Sequence, residues 1–275
     1  MPPLLIDWLT EKYPTSKKTT LKRMVEQGRV TINGRPADRL KTPLEPKDVV
    51  EVRDRNDSAT ASKRPSLTPL VLVYEDADLL VIDKPPGLLT STVPREKRPT
   101  ALAIVKAYLA GDHRARVGLV HRLDRDASGV LIFAKSATAY DSLKAQFFHH
   151  HVSRVYEAIV HGKPKEAKGT IESLLVESKE GKVFATRDIS TGQPAVTHFE
   201  VVESSGGQST LRVRLETGRK HQIRAHLSGM GNPIVGDTVY GPIPPAAPQL
   251  RLRAMELEIE HPRTGKRVTF RAPEK

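Results

Sequence analysis

Apolar positions recur at two different periods along this chain, and the change of period marks its elements. Leu4, Leu5, Trp8 and Leu9 fall at helical spacing. Thr15 and Ser16 offer caps for a second helix over 17–27, whose inner face carries Leu21, Met24 and Val25 and whose C-cap is Gly28. A strand follows at 29–32, then Asn33-Gly34, the strongest hairpin dipeptide. A further strand at 48–53 alternates through Val50 and Val52.

Beyond residue 68 the pattern changes. Two β-rich runs, 69–74 and 79–84, are joined by a turn at 75–78, and Lys84-Pro85-Pro86-Gly87 stops the second. Thr100 caps a helix ending near Leu109, an apolar strand spans 129–134, and a helix covers 137–148. Residues 154–160 alternate, with strands expected at 194–204, 210–217, 250–260 and 266–272 and a short helix at 220–229. Strands outnumber helices and the turns are short. The fold class that follows is α+β, with a mainly antiparallel mixed sheet in the larger part and a small α/β domain ahead of it. No internal repeat appears at a period of 20–50 residues.

The polar stretch DRNDSATASKRPSLT carries no apolar period and reads as a linker. Domains are therefore expected at 1–56 and 69–275, with 57–68 between them. An apolar share of 38% supports a core at 275 residues. The absence of cysteine excludes thiol nucleophiles, disulfides, iron–sulfur clusters and cysteine-based zinc sites. No apolar run is long enough for a membrane span and no signal peptide is visible, so a soluble cytoplasmic monomer is the expectation. A net charge of +12 points to a polyanionic partner, and most of the excess lies outside residues 1–56.

Three segments carry candidate chemistry. The first, His121-Arg122-Leu123-Asp124-Arg125-Asp126, sets two carboxylates among cations between two strands, with Leu123 as an apolar anchor. A neighbouring cation would hold such an Asp ionised. The bland reading is a turn or a surface salt bridge. The second, Thr217 to Leu227, places His221 and Arg224 on one helical face and Ile223 and Leu227 on another. A basic amphipathic surface helix is its equal rival. The third, Arg154 to Val160, points Arg154, Tyr156 and Ala158 to one side of a strand, where Tyr156 is either structural or a stacking platform for a base. His149-His150-His151 looks metal-like, but consecutive residues do not converge on one ion, so no metal site is expected. No nucleotide-binding glycine motif and no serine elbow is present, and no cofactor is expected.

The run KKTTLKRMVEQGRVTINGRP with LEPKDVVEV resembles the S-four-type RNA-binding domain, with Pro46-Lys47-Asp48 where that family has Pro-Gly-Asp. From residue 70 the ordered set DKPPG, HRLDRDASG, RVYEA and GRKHQIRAHLSGMGNPIVGDTVYG resembles the RluA-type RNA pseudouridine synthases. Ala127 replaces the usual Thr. The resemblance implies an isomerase that converts uridine to pseudouridine in structured RNA, ribosomal RNA preferred and transfer RNA possible, without cofactor or metal. It implies that Asp124 starts glycosidic cleavage, Arg224 pairs with it, and Tyr156 stacks on the uracil and assists proton removal. Arg122 would enter the RNA where the target base has flipped out, beside substrate contacts from His121, Arg219, His221 and Gln222. Lys17, Lys18, Lys22, Arg23 and Arg29 would hold phosphates through the first domain. Two rivals are a non-catalytic RNA-binding or ribosome assembly factor that retains the fold, and a glycosidase using Asp124 with Asp126.

Overall fold

The computed structural model of the chain describes residues 3–26, 29–37, 39–52, 65–92, 98–112, 115–243 and 247–274. Contacts divide the chain into two units, Met1–Arg64 and Pro65–Lys275. Most of the expected linker, and the expected Gly28 cap, lie outside the described residues. The linker's last residues, 65–68, sit in the second unit, where Leu67 packs against the core.

In the first unit, α1 (Leu5–Lys12) and α2 (Lys18–Glu26) cover a three-stranded sheet of β1 (Val30–Ile32), β2 (Arg35–Pro36) and β3 (Val50–Val52), ordered β2-β1-β3. Leu5, Leu9, Leu21, Met24, Val25 and Val30 form its core. That is the helical stripe of the sequence, folded onto one strand. The first helical bonds of α2 run to the Lys17 carbonyl, so the helix begins one residue later than a Ser16 cap would place it. Asn33 and Gly34 take φ of 52° and 76°, as a two-residue turn of opposite twist requires.

The second unit is built on an 11-stranded sheet. Its elements are β4 (Val71–Glu75), β5 (Leu79–Lys84), α3 (Ala101–Tyr108), β6 (Gly118–Leu119), β7 (Ser128–Ala134), α4 (Ala137–Phe148), β8 (Ser153–His161), β9 (Lys168–Glu177), β10 (Val183–Thr186), β11 (Gln193–Ser205), β12 (Gln208–Leu215), α5 (Gln222–Gly229), β13 (Leu252–Glu260) and β14 (Arg267–Arg271). The order is β10-β9-β11-β12-β8-β13-β7-β5-β4, with β14 on β13 and β6 on β7. Pairing is antiparallel except between β13 and β7. There Gly129, at φ 114°, lies so close to the Ala254 backbone that a Cβ would collide with it.

Strands β5 and β7 are buried on both faces. Leu80, Ile82, Leu131 and Phe133 join one core, while Leu79, Val81, Val130 and Ile132 join a second one containing α4. Double burial explains why both strands read as unbroken apolar runs rather than as alternation. β8 and β12 bury one face each, and their outward positions include Glu157, Arg212 and Arg214. The sequence signal missed β9 and β10. β9 interleaves Lys, Glu, Ser and Thr with its apolar residues, and β10 is an edge strand of four residues, too short to show a period.

Candidate active site

The 121–127 loop leads into β7, α5 follows β12, and β8 lies between β12 and β13. These elements bring the three polar segments to one cleft of about 730 Å³. Its lining includes His121, Arg122, Asp124, Tyr156, Arg219, His221, Gln222 and Arg224, all of the site residues expected from this part of the chain.

Asp124 is held from both sides along the backbone. The Thr90 hydroxyl donates to the Leu123 carbonyl at 2.8 Å, and the Leu123 N–H donates back to it at 3.2 Å. On the other flank, the ammonium of fully buried Lys84 donates to the carbonyls of Pro85, Leu88 and Arg125 at 2.8–3.0 Å. Burial lowers the Lys84 pKa to about 8, opposed by the carboxylates of Asp126, Asp124 and Asp83. Leu123 itself is buried in the core, as its apolar character suggested. Asp126 instead pairs with Arg125 at 3.1 Å at the surface, which is the bland reading for that residue.

Arg224 links two carboxylates. Its Nε and Nη2 each donate to Asp237 at 2.8 Å, and Nη1 lies 3.4 Å from Asp124 Oδ2. The Asp237 side chain is wholly buried and also accepts the N–H groups of Val239 and Tyr240. Burial alone would raise the Asp237 pKa, but Arg224 and these backbone donors bring it below the usual range. Burial likewise opposes the charge on Arg224, and Asp237 and Asp124 more than restore it. A buried guanidinium persists only with such partners.

Of the two readings of 220–229, the structure shows the anchored helix and not its surface rival. Gln222, Ile223, Arg224, His226 and Leu227 are all buried in α5, because every polar group there has an internal partner. His226 bonds Thr197 and Ser173 at 2.9 and 3.0 Å, and burial lowers its pKa to about 4. The Gln222 amide accepts from Thr217 Oγ1 and the Arg219 N–H and donates to Val196 O and Thr197 Oγ1. With its amide so occupied, Gln222 braces the 217–222 turn while still lining the cleft.

His221 lies just outside the helix at φ 51°, so it does not share a helical face with Arg224. Its Nδ1 meets the Tyr240 hydroxyl at 3.1 Å and its Nε2 lies 4.0 Å from Asp124. Burial lowers the His221 pKa, so the imidazole is neutral at pH 7 and the latter contact is not an ion pair. The Tyr240 hydroxyl also accepts the Val183 N–H at 2.8 Å, tying β10 to the start of α5.

His121 accepts the Ile132 N–H at Nε2, 3.1 Å away, and stacks on Phe147 with ring centres 4.6 Å apart. Burial lowers its pKa to about 3, which keeps it uncharged, with one ring nitrogen already engaged by the sheet. Tyr156 is buried on β8, and burial raises its pKa. Beside it, Arg154 donates to the carbonyls of Glu216 and Thr217 at 3.0 and 3.1 Å. A Cβ at Gly218 would collide with the Arg154 guanidinium. Arg122 and Arg219 are exposed, and Arg219 Nε donates to Pro194 O. In the first unit Lys17, Lys18, Lys22 and Arg23 are exposed and Arg29 is half-buried.

Sequence reasoning assigned no role to Lys84, Thr90, Arg154 or Asp237. Lys84, Arg154 and Asp237 stood inside quoted motifs, and the usable signal was a charged residue in an otherwise apolar or glycine-rich setting. Among the described residues, the one cluster with metal-ligand spacing is Asp76, Asp78 and His261, away from this cleft. Its atoms bond to each other and to Tyr74, Ser136 and Arg263.

Known proteins resemble both units of the chain. Residues 78–229 match the family described as RNA pseudouridylate synthase, and residues 5–50 match the S4 domain. The chain is 34% identical to ribosomal large subunit pseudouridine synthase D of Pseudomonas aeruginosa, over 95% of this chain and 85% of that one. It is 36% identical to the uncharacterized RNA pseudouridine synthase YlyB of Bacillus subtilis, over 93% and 85%. Human RNA pseudouridylate synthase domain containing 4 superposes with a TM-score of 0.62 at 25% identity, covering 74% of this chain and 88% of that one.

Proposed function

The chain belongs to the RNA pseudouridylate synthase family and is an isomerase acting on RNA, and from that premise we propose that its cleft converts uridines of large-subunit ribosomal RNA to pseudouridine, with Asp124 initiating the reaction. The observation that carries this reading is the Asp237–Arg224–Asp124 chain of contacts, which holds one partly accessible carboxylate against a cation in a cleft walled by Tyr156. The isomerisation breaks the N-glycosidic bond, turns the uracil and rejoins it through carbon 5, which loses its proton while nitrogen 1 gains one. No electron is gained or lost.

Each neighbour has a role consistent with its surroundings. Arg224 orients Asp124 and supplies positive charge beside it. Tyr156 presents its ring to the uracil. Burial raises its pKa, so the hydroxyl rests protonated at neutral pH as a packing surface and hydrogen-bond donor. Exposed Arg122 fills the gap left when the nucleotide leaves its stack, an extrusion that costs a few kcal/mol. Residues 1–56 act as an RNA-binding domain whose basic α2 positions phosphates. Relatives named for the large ribosomal subunit support that RNA over transfer RNA. The same reading makes the protein a cytoplasmic monomer.

Asp124→Asn tests the assignment. Pseudouridine formation should fall by about a thousandfold or more while RNA affinity is retained. Product persisting in the purified variant overturns the role of Asp124, and free uracil in the wild-type reaction identifies a glycosidase instead. Pseudouridine mapping in cells with and without the gene decides between ribosomal and transfer RNA.

A further inference from the structure

Helix α4 ends on two adjacent phenylalanines with opposite fates. Phe147 is partly buried, stacked on His121 and lying 6.0 Å from the Arg154 guanidinium. It fixes the helix end to the wall of the cleft. Phe148, next in the chain, is 77% exposed and lines the same cleft. Isolated exposed apolar side chains are common, but this one sits at the mouth of the catalytic cleft and is anchored by its neighbour.

The turn after α4 adds an independent feature. The His151 N–H bonds the Gln146 carbonyl at 2.8 Å, closing the helix around His150 at φ 58°. Glycine is the ordinary occupant of that position, because a Cβ is strained in the left-handed region. Here the position carries an imidazole, which is exposed and also lines the cleft. His149 meets the Phe148 ring edge-on at 5.1 Å.

We propose that Phe148 and His150 form a second nucleotide subsite at the cleft mouth, which takes the base flanking the isomerised uridine. The inference rests on the reading of the cleft as a uridine site. Extruding one nucleotide deprives its neighbour of a stacking partner, and an exposed phenyl ring replaces that surface for any base. The occupant is nucleic acid rather than protein because the cleft is lined by four arginines, Arg122, Arg154, Arg219 and Arg224, and by the single carboxylate of Asp124. His150 supplies a polar ring edge beside the shelf, at a position where backbone strain opposes any side chain.

The test uses the full chain and an unmodified transcript of large-subunit ribosomal RNA, with single-turnover pseudouridine formation followed against enzyme concentration. Phe148→Ala should raise the half-saturating concentration by about 5- to 100-fold with the maximal rate nearly unchanged, and Phe148→Trp should restore it. His150→Gly should also raise it, although glycine suits that backbone and the melting temperature does not fall. Saturation of Phe148→Ala within about twofold of wild type, or a loss confined to the maximal rate, overturns the subsite. A wild-type chain that forms no pseudouridine overturns the functional reading alone. The subsite is then decided by fluorescence anisotropy with a short labelled oligouridine, where equal affinity of wild type and Phe148→Ala rejects it and a loss of about fivefold or more supports it.

Discussion

The carboxylate of Asp237 and the guanidinium of Arg224 meet in two bonds of 2.8 Å, with the Asp237 side chain wholly buried. Asp237 is not among the cleft-lining residues, yet it fixes the cation that faces Asp124. Asp237→Ala leaves that guanidinium buried with its main partner gone. The expected loss is about 3–5 kcal/mol of stability, measured by denaturant unfolding. Asp237→Asn keeps a side chain that can still accept from Val239 and Tyr240, so it should fold better while remaining impaired in the maximal rate of isomerisation rather than in RNA affinity.

Lys84→Met replaces a buried ammonium with an apolar chain of similar length. It leaves the carbonyls of Pro85, Leu88 and Arg125 without their donor. Destabilisation of roughly 2–4 kcal/mol is expected, since bonds from charged donors are worth more than neutral ones. Activity should fall further than stability explains, because Arg125 adjoins Asp124 in the loop. Single-turnover rates at a temperature where the variant is fully folded separate the two effects.

Acid should destabilise the protein partly through His226. Its pKa of about 4 in the folded chain lies below the ordinary 6.5, so the unfolded chain binds the extra proton first. The stability this contributes is present above pH 6.5 and is lost as pH falls from there towards 4, by about 3 kcal/mol in all. Unfolding free energies at stepped pH should show that loss, and His226→Gln should flatten the slope by about one proton.

Neutralising Lys17, Lys18, Lys22 and Arg23 together tests the first unit's part in RNA binding. Lys22 already pairs with Glu26 at 3.5 Å, so fewer than four phosphate contacts should disappear. The slope of log affinity against log salt should become shallower by about 2. An unchanged slope removes the proposed role of α2.

The local elements were legible in the sequence because their signals are local. Periods of 3.6 and 2, the Asn33-Gly34 turn and the Thr100 cap of α3 operate within a few residues of themselves. The ordered motifs likewise marked Asp124, Tyr156 and Arg224 without any coordinates. What periodicity could not report was an element whose character depends on distant partners. The polar strand β9 and the short edge strand β10 went unseen, and α5 read as equally suited to a surface, because its buried arginine, histidine and glutamine take partners that include Asp237, Thr197, Ser173 and Val196 from elsewhere in the chain.

The sequence alone determined most of the local elements and marked the candidate side chains, since both are written in short stretches of chain. Tertiary structure alone decided where those side chains meet. A hundred positions separate Asp124 from Arg224, and only the sheet brings them to 3.4 Å. Burial then sets which groups carry charge. It lowers the pKa of His121 and His226 and is offset by carboxylates at Arg224, while hydrogen bonds make Gln222 a brace of the 217–222 turn.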